Sequence, residues 1–237
     1  MAIIKRKEKS LDIKSNKNLF EQFVLALICI GAIPVYKYTG NLYISFAIVI
    51  ITAALIMYLR KKRNIYKSGI TGEKTVAGLL QRLDNYYIVY NDIVIGDKEK
   101  GAQIDHLVVS PFGIFCIETK NMRGTIIGKE NDNNWLQKKN SKGGAVYEKN
   151  FYNPCKQSRG HINALNNLFR HSEIKGLFIK SVVVFNSDMR PELNVETDTT
   201  AVIKSDFLLR FISGYKEEII SSSIIKKIEK VLDKNIY

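Results

Sequence analysis

The sequence predicts an α/β domain preceded by a transmembrane helical hairpin, and three observations carry that prediction. Residues 38–59 form an uncharged, Ile-, Ala-, Leu- and Val-rich run that ends at Arg60-Lys61-Lys62-Arg63. Two shorter apolar runs, residues 103–110 and 113–120, meet at a Ser110-Pro111-Phe112-Gly113 turn and read as a β-hairpin. Around that hairpin, stripes at helical spacing alternate with Val/Ile-rich strands, the mark of a mixed α/β layer structure.

Among the 237 residues the formal net charge is +13, but it is unevenly placed. Residues 1–67 hold 12 Lys/Arg against Glu8, Asp12 and Glu21, a net of +9, which leaves +4 for the rest. The basicity therefore reports on the N-terminal quarter, and the near-neutral remainder argues against tight, unassisted DNA binding. Cys29, Cys116 and Cys155 are odd in number and far apart, as expected for buried thiols in a reducing compartment rather than disulfides or a zinc site.

Residues 1–18 read as a basic cytoplasmic tail. Two spans follow, 19–36 and 38–59, with the charged turn around Lys37 between them. The second is long enough to cross ~30 Å of hydrocarbon; the first, interrupted by Gly31 and Pro34, just reaches. Basic residues at both outer ends satisfy the positive-inside rule, placing both termini and the soluble domain in the cytoplasm of a multi-pass protein of the cell membrane. A cleaved signal peptide competes for the first span, but the leading polar part is long and no small-x-small site precedes a mature domain. Residues 61–68 are expected as a basic linker, and the Arg60-Lys61-Lys62-Arg63 block can serve topology, anionic lipid or nucleic acid.

The domain is expected over residues 69–237. A helix from Glu73 carries Val76, Leu79, Leu80 and Leu83 on one stripe, and residues 86–95 form a strand. After the hairpin comes a short strand at residues 125–127, then a polar, loop-like stretch over 131–144 with the single Trp135, read as packing ahead of base stacking. Asn153-Pro154 announces a helix bearing Gln157, His161, Ala164, Leu165 and Leu168, with His161 expected as a hydrogen-bonded structural histidine. A buried strand over 177–185, a short strand over 200–203, a short helix over 206–212 and an amphipathic helix over 222–232 complete the order.

The polar residues inside the hairpin are the informative ones. Glu118 and Lys120 share one strand face, and Asp105 reaches it if the register is simple. Two converging acids need a partner, and a hard cation such as Mg²⁺ suits two carboxylates plus water. The alternative is a Glu118/Lys120 pair on a solvated face with Asp105 near a turn.

Gly72-Glu73, Gln103-Ile104-Asp105-His106, Gly113-Ile114-Phe115, Ile117-Glu118-Thr119-Lys120, Gly124, Trp135, Asn153-Pro154 and Gln157, in this order, resemble the nuclease-related domain, NERD, over about residues 69–170. That family is assigned to the PD-(D/E)xK nuclease superfamily, with a restriction-endonuclease-like αβββαβ core. The resemblance implies a metal-dependent phosphodiesterase in which Asp105, Glu118 and Glu73 hold Mg²⁺ or Mn²⁺. It further implies that Lys120 positions water or stabilises charge and that Gln157 orients the lysine or a phosphate. Ile104 stands where the superfamily's proline would be. The function this implies is a membrane-anchored nuclease, an endo- or exonuclease, acting on nucleic acid, DNA ahead of RNA, with residues 19–60 in the lipid bilayer. The alternative is an inactive nuclease-like module that binds nucleic acid or a protein partner at the membrane.

Overall fold

The computed structural model describes all residues except 6–9, 98–100, 141–143 and 237, and the side chains of 10, 11, 14 and 32 besides. Arg6, Lys7 and Lys9 of the expected tail and the middle of the turn between Gly96 and Gly101 thus lie outside the described residues. The chain forms two compact units: Lys9–Thr71, and Met1–Glu8 together with Gly72–Tyr237.

The Lys9–Thr71 unit holds α1 (Ser10–Thr39) and most of α2 (Leu42–Leu80). Gly40, at φ +62°, ends the first helix, and the Asn41 side chain caps the second by accepting from the Tyr43 and Ile44 amides at 3.0 and 3.2 Å. The turn is therefore tighter than expected. Lys37 and Tyr38 stay helical, because the left-handed glycine and the capping Asn do not occur until residues 40 and 41. Residues 61–68, expected as a linker, are also helical, since no proline or capping sequence interrupts α2 there. Cys29 and Thr52, equally far from the turn, meet at 2.7 Å between Sγ and Oγ1, so the helices run antiparallel. Asn18, Gln22, Ser45 and Thr52 are buried, whereas Phe20, Phe23, Ile30, Ile33, Ile50 and Ile51 are exposed. Both helices are long and apolar enough to cross a membrane.

The other unit is built on a six-stranded sheet in the order β1 (Ile3–Ile4), β2 (Ile88–Ile95), β3 (Ala102–Ser110), β4 (Gly113–Lys120), β8 (Ile179–Phe185), β10 (Ala201–Lys204). β2, β3 and β4 are antiparallel neighbours, and β8 joins β4 in parallel by a crossover through α3 (Pro154–His171). With the end of α2 leading in, this is the helix, three strands, helix, strand order of the nuclease-like core. One sheet face packs Leu107, Val109, Ile114 and Cys116 against Leu165 and Phe169 of α3 and Ile228 and Leu232 of α5 (Ser222–Asn235). The opposite face packs Val108, Phe115, Ile117, Val182 and Val184 against Val76 and Leu80 of α2 and Leu208 and Ile212 of α4 (Leu208–Ser213).

Two expectations fail here. Ile3 and Ile4, assigned to a cytoplasmic tail, form a parallel edge strand on β2, with the Ile3 amide donating to the Tyr87 carbonyl at 2.9 Å. Lys5 then bridges Glu229 and Asp233 of α5, each at 3.3 Å. Two apolar residues beside a charge cluster are too short a strand signal to read without a partner. Second, the loop-like stretch is strand β6 (Asn134–Asn140). It belongs to a four-stranded sheet in the order β7 (Val146–Tyr152), β6, β5 (Gly124–Lys129), β9 (Pro191–Glu196), in which β7 and β9 were not expected. Its polar composition hid the strand because, of the two buried residues on its inner face, Trp135 and Gln137, only one is apolar. Trp135, fully buried, lies over Gly128, where a β-carbon would run into the indole ring. The packing reading of Trp135 holds.

Glu130, just past β5, ties this second sheet to the segment leading into β10. Its carboxylate accepts from the amides of Asp198 (2.6 Å), Thr199 (2.9 Å) and Thr200 (3.0 Å) and from both threonine hydroxyls. Burial alone would raise its pKa, but these hydrogen bonds together outweigh burial and hold it at about 2. A depressed carboxylate contributes stability that is present above its ordinary pKa near 4.3 and is lost as pH falls towards 2. Glu130→Gln is expected to lower unfolding free energy by about 3 kcal/mol at pH 7. The deficit relative to wild type should shrink between pH 4 and 2, as followed by urea titration in detergent.

Candidate active site

The pairing of β3 with β4 runs from Ser110↔Gly113 to His106↔Ile117 and then stops. On its other edge β3 skips a pair at Asp92, which takes a left-handed φ of 49° within β2 between Asn91↔His106 and Ile93↔Ile104. Asp105 lies where both ladders lapse. Its side chain replaces the missing strand, with Oδ2 accepting from the Thr119 amide at 2.8 Å. By alternation Asp105 shares the α3 face with Leu107 and Val109, and Glu118 shares it with Cys116 and Ile114. The simple register required for convergence is the one observed, and the two acids do not point to opposite faces.

Helix α3 brings the remaining groups. Asn153 caps it by accepting from the Cys155 amide at 2.8 Å, while its own amide donates to the Lys129, Glu130 and Asp132 carbonyls. Ser158 and Ser181, buried and 2.7 Å apart through their hydroxyls, lock the helix to β8. The first turn of α3 thus places Gln157 Oε1 3.0 Å from Lys120 Nζ, which also donates to Glu118 Oε1 at 2.7 Å. One turn on, His161 Nδ1 lies 3.6 Å from Glu118 Oε2. Both of those atoms are buried without a hydrogen-bond partner. The expectation that His161 is a satisfied structural histidine is therefore corrected: it faces the carboxylates with an unsatisfied nitrogen. The i, i+4 spacing from Gln157 was the signal that could have placed it there.

Burial raises the pKa of Asp105, and Glu118 adds to the rise. Burial likewise raises Glu118, with Lys120 opposing. For Lys120, burial pulls the ammonium down but Glu118 and Asp105 more than restore it, so its pKa lies above the ordinary value and the group stays cationic. His161 is lowered, first by burial, and is neutral at pH 7. Glu73, on α2, is near enough to contribute to the field at Lys120. It is brought there by Gly72, where a β-carbon would stand 2.7 Å from Asn121 Cβ, just past the end of β4. Asn186, absent from the sequence reading, fixes that same end: its amide donates to the Lys120 carbonyl and its side chain to Asn121 Oδ1, both at 2.9 Å. Among the described residues, no three His, Cys, Asp or Glu side chains gather closely enough to form a metal cage. The site offers two carboxylates, one of them with an open oxygen, beside a lysine and a neutral histidine.

A sandwich of this order, with acids on adjacent central strands and a lysine two residues after the second, defines a nuclease-like protein. The nuclease-related domain, NERD, matches residues 68–186, half of the chain, and the chain belongs to that family. It is similar to an uncharacterized protein of Bacillus anthracis, 33% identical over 125 residues, which are 51% of this chain and 56% of that relative. The aligned part thus spans little more than half the relative's length. No solved structure matches the chain.

Because Asp105 and Glu118 are held above the ordinary carboxylate range, the folded protein binds more protons than the unfolded chain between the ordinary and raised values. Folding is therefore favoured as pH falls through that window and penalised above it. Asp105→Asn keeps an oxygen for the Thr119 amide and removes the repulsion. In metal-free buffer at pH 8 it is expected to melt about 3 °C above wild type, a gap that narrows as pH is lowered. A lower melting temperature at pH 8 would show that the two acids do not strain the fold.

Proposed function

We propose that this chain is a membrane-anchored nuclease that hydrolyses phosphodiester bonds, most simply those of DNA, with the help of Mg²⁺ or Mn²⁺. The observation that carries the reading is the network of Asp105, Glu118, Lys120 and Gln157, in which Glu118 is buried, the other three are partly buried and one carboxylate oxygen is unpartnered. Two acids with raised pKa values and an unpartnered oxygen fit a hard cation that needs one or two carboxylates and completes its shell with water. Asp105 and Glu118 would hold it, and Glu73 would join from α2. When bound, such a cation supplies Lewis-acid polarisation of the phosphoryl group and acidifies a water.

The remaining work falls to the protein's own groups. The Thr119 amide holds the Asp105 carboxylate in one orientation. Lys120, cationic rather than basic, offsets negative charge building on the phosphate, and Gln157 keeps its ammonium from swinging away. His161, neutral at pH 7, brings an unpartnered ring nitrogen to 3.6 Å from the unpartnered Glu118 oxygen. The second reading is an inactive nuclease-like module binding nucleic acid or a protein. It draws on Glu118 being closed onto Lys120 with no third acid joining among the described residues.

One assay separates the two. The full chain in detergent is incubated with plasmid and with RNA in Mg²⁺, Mn²⁺ or EDTA, beside Asp105→Ala and Lys120→Ala. Catalysis predicts metal-dependent cutting that falls at least about 100-fold in both variants. Metal should also raise the melting temperature of wild type but not of Asp105→Ala. Neither cutting nor metal-induced stabilisation would leave the binding module.

Membrane anchoring by α1 and α2 is supported by their inverted packing. Small and polar side chains face inward and large apolar ones outward, the arrangement of helices surrounded by lipid. The topology rests on charge. Basic residues before the first helix and the block at residues 60–63 after the second support a hairpin with both ends in the cytoplasm. Tyr38→Cys, in the turn region, is expected to react with a membrane-impermeant maleimide in intact cells, and Lys67→Cys only after lysis. The reverse pattern, or equal labelling of both, would overturn the assignment.

A further inference from the structure

The second sheet carries a basic face that the hydrolytic site does not use. Along β6, Trp135, Gln137 and Lys139 point to one side, and their β7 partners Phe151, Lys149 and Tyr147 point with them. Trp135 and Phe151, in edge contact with ring centroids 6.3 Å apart, form the buried end of this face, near the start of α3. Gln137 beside them is also buried, and the face opens to solvent at Lys139, Lys149 and Tyr147. Arg123, three residues beyond Lys120, is held beside it because the Gln137 amide donates to the Arg123 carbonyl at 2.8 Å.

The two faces of this sheet treat charge differently. On the far side Lys138 pairs with Glu148 at 2.9 Å, and Thr125 donates to Glu192 at 2.8 Å. On the near side β5, β6, β7 and β9 contribute Ile126, Leu193, Val195 and the aromatic and basic residues named above, with no acid among them. Arg123, Lys139 and Lys149 form no ion pair among the described residues, and they are close enough to repel: burial, then Arg123 and Lys149, lower the Lys139 pKa. Three mutually repelling cations beside a buried aromatic pair make a surface whose complement is a string of anions.

We propose that Arg123, Lys139 and Lys149, with Tyr147 beside them, bind the phosphate backbone of a nucleic-acid strand and lead it to the Asp105/Glu118/Lys120 site. The proposal rests on the nuclease reading for its substrate class and adds where that substrate lies. The loop of residues 121–123 links the two surfaces directly: it begins at the end of β4, which carries Lys120, and ends at Arg123. It also reconciles the near-neutral balance of the domain with a polyanionic substrate, since the cations are concentrated locally instead of being numerous.

The test measures binding of a fluorescent single-stranded DNA of about 20 nucleotides to the full chain in EDTA, across a salt series. The triple variant Arg123→Gln, Lys139→Gln, Lys149→Gln is compared with Lys138→Gln on the opposite face. The triple variant should bind about tenfold or more weakly and lower the slope of log K against log salt by about 2, at roughly 0.7 for each phosphate no longer neutralised. Lys138→Gln should behave as wild type. Arg123→Gln with Lys149→Gln, both at exposed positions, guards against misfolding of the triple variant and should show about two thirds of the slope change. Wild-type affinity and slope in these variants would overturn the proposal while leaving metal-dependent cutting, and hence the nuclease reading, standing. Patch-dependent binding without any cutting would support this surface and remove the nuclease reading. Repeating the titration in nanodiscs of phosphatidylcholine with and without phosphatidylserine decides between nucleic acid and lipid. Anionic lipid that reduces wild type to the affinity of the triple variant would assign the surface to headgroups and overturn the proposal.

Discussion

Two carboxylates on one sheet face, Glu118 buried and Asp105 partly so, with a single lysine beside them leave a charge imbalance that packing alone does not relieve. Asp105 and Glu118 are both driven towards their protonated forms by burial, and Asp105 further by its neighbour. Lys120 answers one Glu118 oxygen and leaves the other open. A core built only for stability would place apolar side chains here, because replacing a buried ionic cluster by hydrophobic residues is commonly neutral or stabilising. The imbalance makes the site sensitive to protonation.

Much of the surrounding structure serves to hold those groups together. The lapse in pairing at Asp92 and beyond His106 frees Asp105 from the sheet, and the Thr119 amide then gives its carboxylate a fixed seat. Asn153 and the Ser158–Ser181 hydrogen bond set the start and the tilt of α3, so that Gln157 meets Lys120 and His161 meets Glu118. Gly72 lets α2 approach Asn121 closely, bringing Glu73 within the field of Lys120. Each is a backbone or packing device acting at a distance from the open oxygen. The left-handed backbone at Asp92, opposite Asp105 in the β2–β3 pairing, is an irregularity of the kind found at functional sites.

The second sheet extends the same logic to the protein surface. Its buried end closes over the start of α3 through Trp135 and Phe151, and its outer end turns a row of mutually repelling cations in the direction of the loop that follows Lys120. Glu130 fastens the sheet to the segment before β10, so the basic face is mounted on a fixed support. Charge counting along the chain missed this face because pairing on the opposite side, as between Lys138 and Glu148, cancels in the total what geometry keeps apart.

Periodicity and punctuation were enough to reveal the apolar helices, the β3–β4 hairpin, the α3 start at Asn153-Pro154 and the acids and lysine within the strands, since these are encoded by neighbours a few residues apart. The residues of the site could be named for the same reason: a charged side chain inside a Val/Ile run is conspicuous in one dimension. What only the tertiary structure decided depends on partners far along the chain. Ile3–Ile4 is a strand only because β2 lies beside it, β6 and β7 only because they pair with each other and β6 with β5, and β9 only because it runs along β5. His161 belongs to the site only because Ser158 and Ser181 fix the angle of α3. Local sequence specifies propensity and face. Which faces meet, and which charges are left without a partner when they do, is set by the long-range pairing of strands and the docking of α3 upon them.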